Sequence, residues 1–144
     1  MIWERTVFRI MTDVMLAVDD DEERARAQAE AVVGLDWGVI EVTVLHVFTQ
    51  NEEGATVSQL ASARAARDVL KAADVEVSLV GDSGDPDERV VAHAERADAD
   101  LIAVGGRRRS PTGKAVFGST SQSVMLTADV PVLYCPVEES TTPS

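Results

Sequence analysis

From Asp13 to Val137 the chain alternates between short apolar runs that suit strands and stretches whose apolar residues recur at helical spacing. That alternation constrains the fold more than any other feature, because repeated strand–helix–strand units build a parallel sheet with helices on both faces. Asp13–Val18 (DVMLAV) reads as a first buried strand, and Asp20–Glu23 supplies the acidic residues favoured at a helix start. Ala25, Ala29, Val32 and Val33 then share one helical face, and Gly34 suits its end. Val39–Phe48 is rich in β-branched residues and nearly all apolar, as an inner strand covered on both faces should be. A polar loop, Thr49–Ala55, leads to a second helical face through Val57, Leu60, Ala61, Ala65 and Val69. Val75–Val80 reads as the third strand and Gly81–Pro86 as a turn, with Pro86 opening a helix whose face is Val90, Val91, Ala94 and Ala97. Leu101–Val104 is the fourth strand, an irregular basic segment follows, Ser119–Thr127 is the fourth helix, and Val132–Cys135 is a fifth strand between Pro131 and Pro136.

These elements predict an α/β fold: one doubly wound domain over 13–137 with a five-stranded, mostly parallel sheet in the order 3-2-1-4-5 and four helices. Residues 1–12 read as an N-terminal extension and 138–144 as a polar tail. In such sheets ligands gather beyond the carboxyl ends of the strands where the order reverses, here between strands one and four.

The charge narrows the function. A formal net charge of −12 opposes both nucleic acid and anionic membrane, so neither is expected as a partner. Lys71 and Lys114 are the only lysines, so arginine carries nearly all the positive charge. The excess of carboxylates suggests a halophilic source, an expectation that fails if stability does not rise between low and molar salt. Cys135 is the single cysteine and is expected in the core, without disulfide or metal work. No apolar run approaches the roughly 18 residues that span a bilayer, and a cytoplasmic location is expected.

The most specific chemistry lies in Val104–Ser123, VGGRRRSPTGKAVFGSTSQS. An apolar strand ends at Val104 and Gly105, and Gly118, Ser119 and Thr120 open a helix, whose unpaired amides and positive dipole end suit phosphate. With Asp19 ending strand one and Leu45-His46-Val47 in strand two, the chain resembles the universal stress protein family. The ATP-binding branch carries G-x-x-G, nine residues, then G-S or G-T. Gly105 matches the first glycine and Gly118-Ser119 the last pair, while Arg108 stands in the slot of the second glycine. The resemblance implies a stress-response role. It also implies a nucleotide site in which Asp19 and Val47 lie near the base, with Val104, Gly105, Arg107, Arg108, Gly118, Ser119 and Thr120 as the other nucleotide-binding positions. It further implies a homodimer through the fifth strand, which would cover an exposed sheet edge. A regulatory protein partner fits the same role.

Arg108 divides the function in two. A side chain there costs about 1–2 kcal/mol if the slot needs positive φ, yet Arg107, Arg108, Arg109 and Lys114 form the one concentrated basic stretch. Arginine forks suit phosphate oxygens, so the substitution can change the grip on ATP or a related nucleotide, with Mg²⁺ bridging to carboxylates. In the other reading the arginines pair with the acidic run Asp19–Glu23, and the protein is a nucleotide-independent dimeric interaction module.

Other sites find less support. The opening VMLAVDDDEERAR is similar to a receiver domain, but Val80-Gly81-Asp82 and Tyr134-Cys135-Pro136 lack that domain's aspartate and lysine signatures. A P-loop would need glycine at Arg108 and a hydroxyl residue at Ala115. His46 is expected to be a packed, hydrogen-bonded histidine and His93 to face solvent. No catalytic residue or metal cluster stands out, and at most slow ATP hydrolysis is expected.

Overall fold

The computed structural model describes residues 11–35, 38–49, 56–109 and 114–138, with the backbone alone at 107–109, 114–117 and 138. Strands β1 (Met11–Ala17), β2 (Val39–Phe48), β3 (Glu76–Ser83), β4 (Leu101–Arg109), β5 (Lys114–Phe117) and β6 (Val132–Glu138) alternate with helices α1 (Glu22–Val33), α2 (Ala61–Ala72), α3 (Pro86–Arg96) and α4 (Ser119–Thr127). Five strands run parallel in the order β3-β2-β1-β4-β6, the predicted 3-2-1-4-5. The N-terminal residues before Met11, the Thr49–Ala55 loop beyond Thr49 and the tail beyond Glu138 fall outside the described residues.

The sixth strand corrects the expectation of an irregular segment after Val104. β4 runs on to Arg109 and folds back onto β5, pairing Gly106 with Phe117, Arg107 with Val116 and Arg108 with Ala115. Its opposite edge pairs in parallel with β6, from Ile102 with Val132 to Arg108 with Glu138. β1 meets β4 only at Leu101–Ala103, so β5 must lie along the β1-side edge of β4, beyond the end of β1. An arginine run carries no strand signal of its own; partners on both edges impose the extended conformation.

Each face of the sheet has its own core. Val14, Leu16, Val42, Val44 and Ala103 pack with Ala25, Ala29, Val32, Ala63, Ala66 and Leu70 of α1 and α2. Met15, Leu45, Val47, Ile102 and Val104 pack with Val90 and Ala94 of α3 and Val124 of α4. Cys135 is buried in the first core, and desolvation pushes its thiol up to about 12.

Several boundaries move for identifiable reasons. β1 begins two residues before Asp13, because Met11 and Thr12 continue the register with Val39 and Ile40. β3 runs through Gly81, where a Cβ would sit 3.2 Å from the Val57 Cβ, so a short 3-10 turn, Val57–Gln59, can lie against it. That turn ends at Leu60. α2 buries Ser62, Ala63, Ala66 and Leu70 beside the expected Ala65, while Val57, Leu60 and Val69 are partly buried against the same core and Ala61 is exposed. β6 continues through Pro136, which an edge strand tolerates. α3 starts as expected, with Pro86 in its first turn and the Asp85 side chain accepting from the Asp87 amide.

Candidate functional site at the carboxyl end of the sheet

The carboxyl ends of β1, β2 and β4 and the start of α4 enclose a cavity of about 760 Å³. Asp19, Val47, Val104, Gly105, Gly118, Ser119 and Thr120 all line it, so seven of the nine residues singled out in the sequence share one space. Arg107 and Arg108 are placed by their backbone in β4; their side chains lie outside the described residues.

Asp19 does not stand as a free carboxylate. Its Oδ2 accepts from Arg24 Nε at 3.0 Å, Arg24 Nη2 lies 2.9 Å from the same oxygen, and its Oδ1 accepts from the Asp21 amide. Asp21 in turn caps α1 by accepting from the Arg24 amide at 2.9 Å. The described cationic partners of the acidic run are thus guanidinium groups of its own helix, Arg24 on Asp19 and Asp21 and Arg26 on Glu22. Arg24 also lines the cavity, a cation the sequence reading missed.

Gly105 owes its missing side chain to a residue behind it. A Cβ there would lie 2.7 Å from Gln28 Oε1 and 2.9 Å from Gln28 Cδ. Gln28 is 1% exposed, and its Nε2 donates to the Ala17 carbonyl at 2.7 Å, fixing α1 to the end of β1. The signal was a polar residue within the apolar face of Ala25, Ala29 and Val32. Gly118 differs: it is the N-cap of α4 with φ −72°, and a Cβ there would meet nothing within 4 Å. Ser119 supplies no cap, since no side chain caps this helix.

Three further side chains hold the rim. Ser121 Oγ donates to the Gly105 carbonyl at 2.8 Å, and Ser62 Oγ donates to the Asp19 carbonyl at 2.6 Å. His46 Nδ1 lies 2.9 Å from the Val18 carbonyl, which can only accept, so Nδ1 carries the proton and Nε2 is left for other partners. The ring packs edge-on to Phe48 at 4.6 Å, matching the expected packed histidine, and it also lines the cavity.

His93 corrects an expectation. Its side chain is only 18% exposed, and Nε2 lies 2.7 Å from Asp82 Oδ2. The hydrogen bond from His93, then that from the Ser83 amide, hold the Asp82 carboxyl below the ordinary aspartate value. Among the described residues no three His, Cys, Asp or Glu side chains gather as a metal site, and no helix is long and apolar enough to cross a membrane.

The profile of the universal stress protein family matches residues 11–136. A universal stress protein from Archaeoglobus fulgidus superposes with a TM-score of 0.67 at 26% identity, covering 85% of this chain and 97% of that one. A universal stress protein from A. fulgidus in complex with dAMP gives 0.66 at 21% identity over 87% and 98% of the two chains. An Arabidopsis thaliana universal stress family protein with AMP bound gives 0.67 at 19% identity over 92% and 97%. The stress response protein NhaX of Bacillus subtilis is 38% identical over 61 residues, which are 42% of this chain and only 36% of that protein. With that match running the length of the sheet described above, the chain belongs to the universal stress protein family.

Proposed function

We propose that the cavity binds an adenine nucleotide and that the protein serves the stress response as a ligand-sensing regulatory module. One observation carries this reading: Asp19 and Val47, from strands one and two, share a single cavity with Gly105 and with the opening turn of α4. The apolar Val47 and Val104 offer a surface for a base, and the α4 start offers amides for an anion. The relatives with AMP and dAMP bound lend support. Mg²⁺ would have to be held mainly by the ligand's own phosphates, since Asp19 is engaged by Arg24. Titration calorimetry with AMP tests the reading. A saturable heat that disappears in Val47→Arg is expected, and no binding up to millimolar AMP overturns it.

A second reading, a dimeric interaction module, draws on β6, which among the described residues pairs with β4 alone, and on Leu126, 81% exposed on α4. Solution mass across a dilution series would fall to the monomer value in a β6 edge variant. A mass that stays monomeric at every concentration removes this reading.

A further inference from the structure

We propose that the cavity is selective for a nucleoside monophosphate, with the outer phosphates of a di- or triphosphate gaining no hold. This rests on the nucleotide reading above and deepens it.

A triphosphate needs several groups of donors, because each phosphate must exchange its water for hydrogen bonds or cations. The chain between β4 and α4 is the natural source, and here its first part is committed elsewhere. Gly106, Arg107 and Arg108 each have a ladder partner in β5 on one edge and in β6 on the other. Backbone N–H groups of a strand paired on both edges lie in the plane of the sheet and bond its neighbours. Those three amides therefore cannot turn out of the plane to cradle an anion. Among the described residues, the free donors on this side are the first-turn amides of α4, Ser119, Thr120 and Ser121, which precede the first intrahelical bond, Gln122 N–H to the Gly118 carbonyl. One helix turn suits one phosphate group.

Charge acts in the same direction. Asp19, Asp20 and Arg24 are the charged side chains described on the cavity wall, two negative and one positive, for a balance of −1. Arg24 is already paired with Asp19 at 2.9 Å. Each phosphate beyond the first adds negative charge against described wall side chains that sum to −1, within a chain of net charge −12.

The experiment titrates the full chain with AMP, ADP and ATP by calorimetry at fixed ionic strength, with and without Mg²⁺. AMP is expected to bind at least as tightly as ADP and ATP, with no gain from Mg²⁺. ATP binding more than threefold tighter than AMP overturns the proposal and shows that the hairpin side chains grip the outer phosphates. Absence of binding by all three nucleotides fails the nucleotide reading itself and is thereby distinguishable. Loosening the hairpin with Arg108→Gly and Ala115→Gly together is expected to move the ATP-to-AMP affinity ratio at least threefold toward ATP; a folded variant with an unchanged ratio refutes the role of the hairpin. If that variant does not fold, the native ratio decides.

Discussion

Replacing Gly105 by alanine tests whether this glycine answers to the fold before any ligand. The new Cβ would lie 2.7 Å from Gln28 Oε1 and 2.9 Å from its Cδ, well inside the separation of about 3.5–4.0 Å at which such atoms attract. Gln28 cannot swing clear without cost, because it is buried and its Nε2 holds the Ala17 carbonyl at 2.7 Å. Overpacking of this kind costs about 1–3 kcal/mol, and a buried carbonyl left without its donor adds about 1–3 kcal/mol. Relief of glycine's backbone entropy returns about 0.5–1 kcal/mol, so the net loss centres on about 3 kcal/mol. At roughly 4 °C per kcal/mol for a domain of this size, the melting temperature falls by about 12 °C. Urea unfolding followed by circular dichroism reads this directly. Gln28→Ala alone is expected to cost about 2 kcal/mol through the lost bond and packing. Together the two changes should cost at least about 1 kcal/mol less than their sum, since the added methyl then has room. Gly105→Ala within about 0.5 kcal/mol of the native protein, or strict additivity in the cycle, refutes the reasoning.

Gly118→Ser provides the contrast: with space around its Cβ and extended backbone, it should keep stability or raise it by a few tenths of a kcal/mol as a side-chain N-cap. The same variant should weaken AMP binding at least tenfold, measured by calorimetry, because the side chain projects where the phosphate is proposed to sit. Asp82 has a lowered folded-state pKa, so its contribution to stability is present above the unfolded value and lost as pH falls through the folded one. Asp82→Asn should therefore destabilise the protein at pH 7, with the difference shrinking as pH falls from about 3.9 through the lower folded value, in unfolding curves taken across pH. Cys135, 1% exposed with its thiol pushed up to about 12, should resist a thiol reagent at pH 8 in the native protein and react fully in denaturant.

Where burial pattern and boundary residues agree, the sequence was enough. Val39–Phe48 and Ser119–Thr127 form the elements expected at the same limits, because one is rich in β-branched residues and nearly all apolar and the other lies between Gly118 and a proline-bounded strand. The 3-2-1-4-5 order and the meeting of Asp19, Val47, Gly105 and Gly118 follow from it. β5 was not legible, since KAVF is only four residues long and its pairing partner is a run of arginines. Nothing local makes Arg107–Arg109 a strand; β5 along one edge and β6 along the other as far as Arg108 do. His93 sits among charged residues on α3, and only the end of β3 reveals Asp82 as its partner. Gln28 was visible as an interruption of the α1 face, but its meaning depended on Gly105, 77 residues away by subtraction of the two positions.

The carbonyls at the open end of the sheet are each fastened by a different neighbour: Ala17 by Gln28 of α1, Asp19 by Ser62 of α2, and Gly105 by Ser121 of α4. A mouth braced in this way from both layers keeps its shape while empty. A guest entering it therefore pays little ordering entropy. By the same fastening, a displacement forced on one lip would pull on the helix that holds it, α1, α2 or α4.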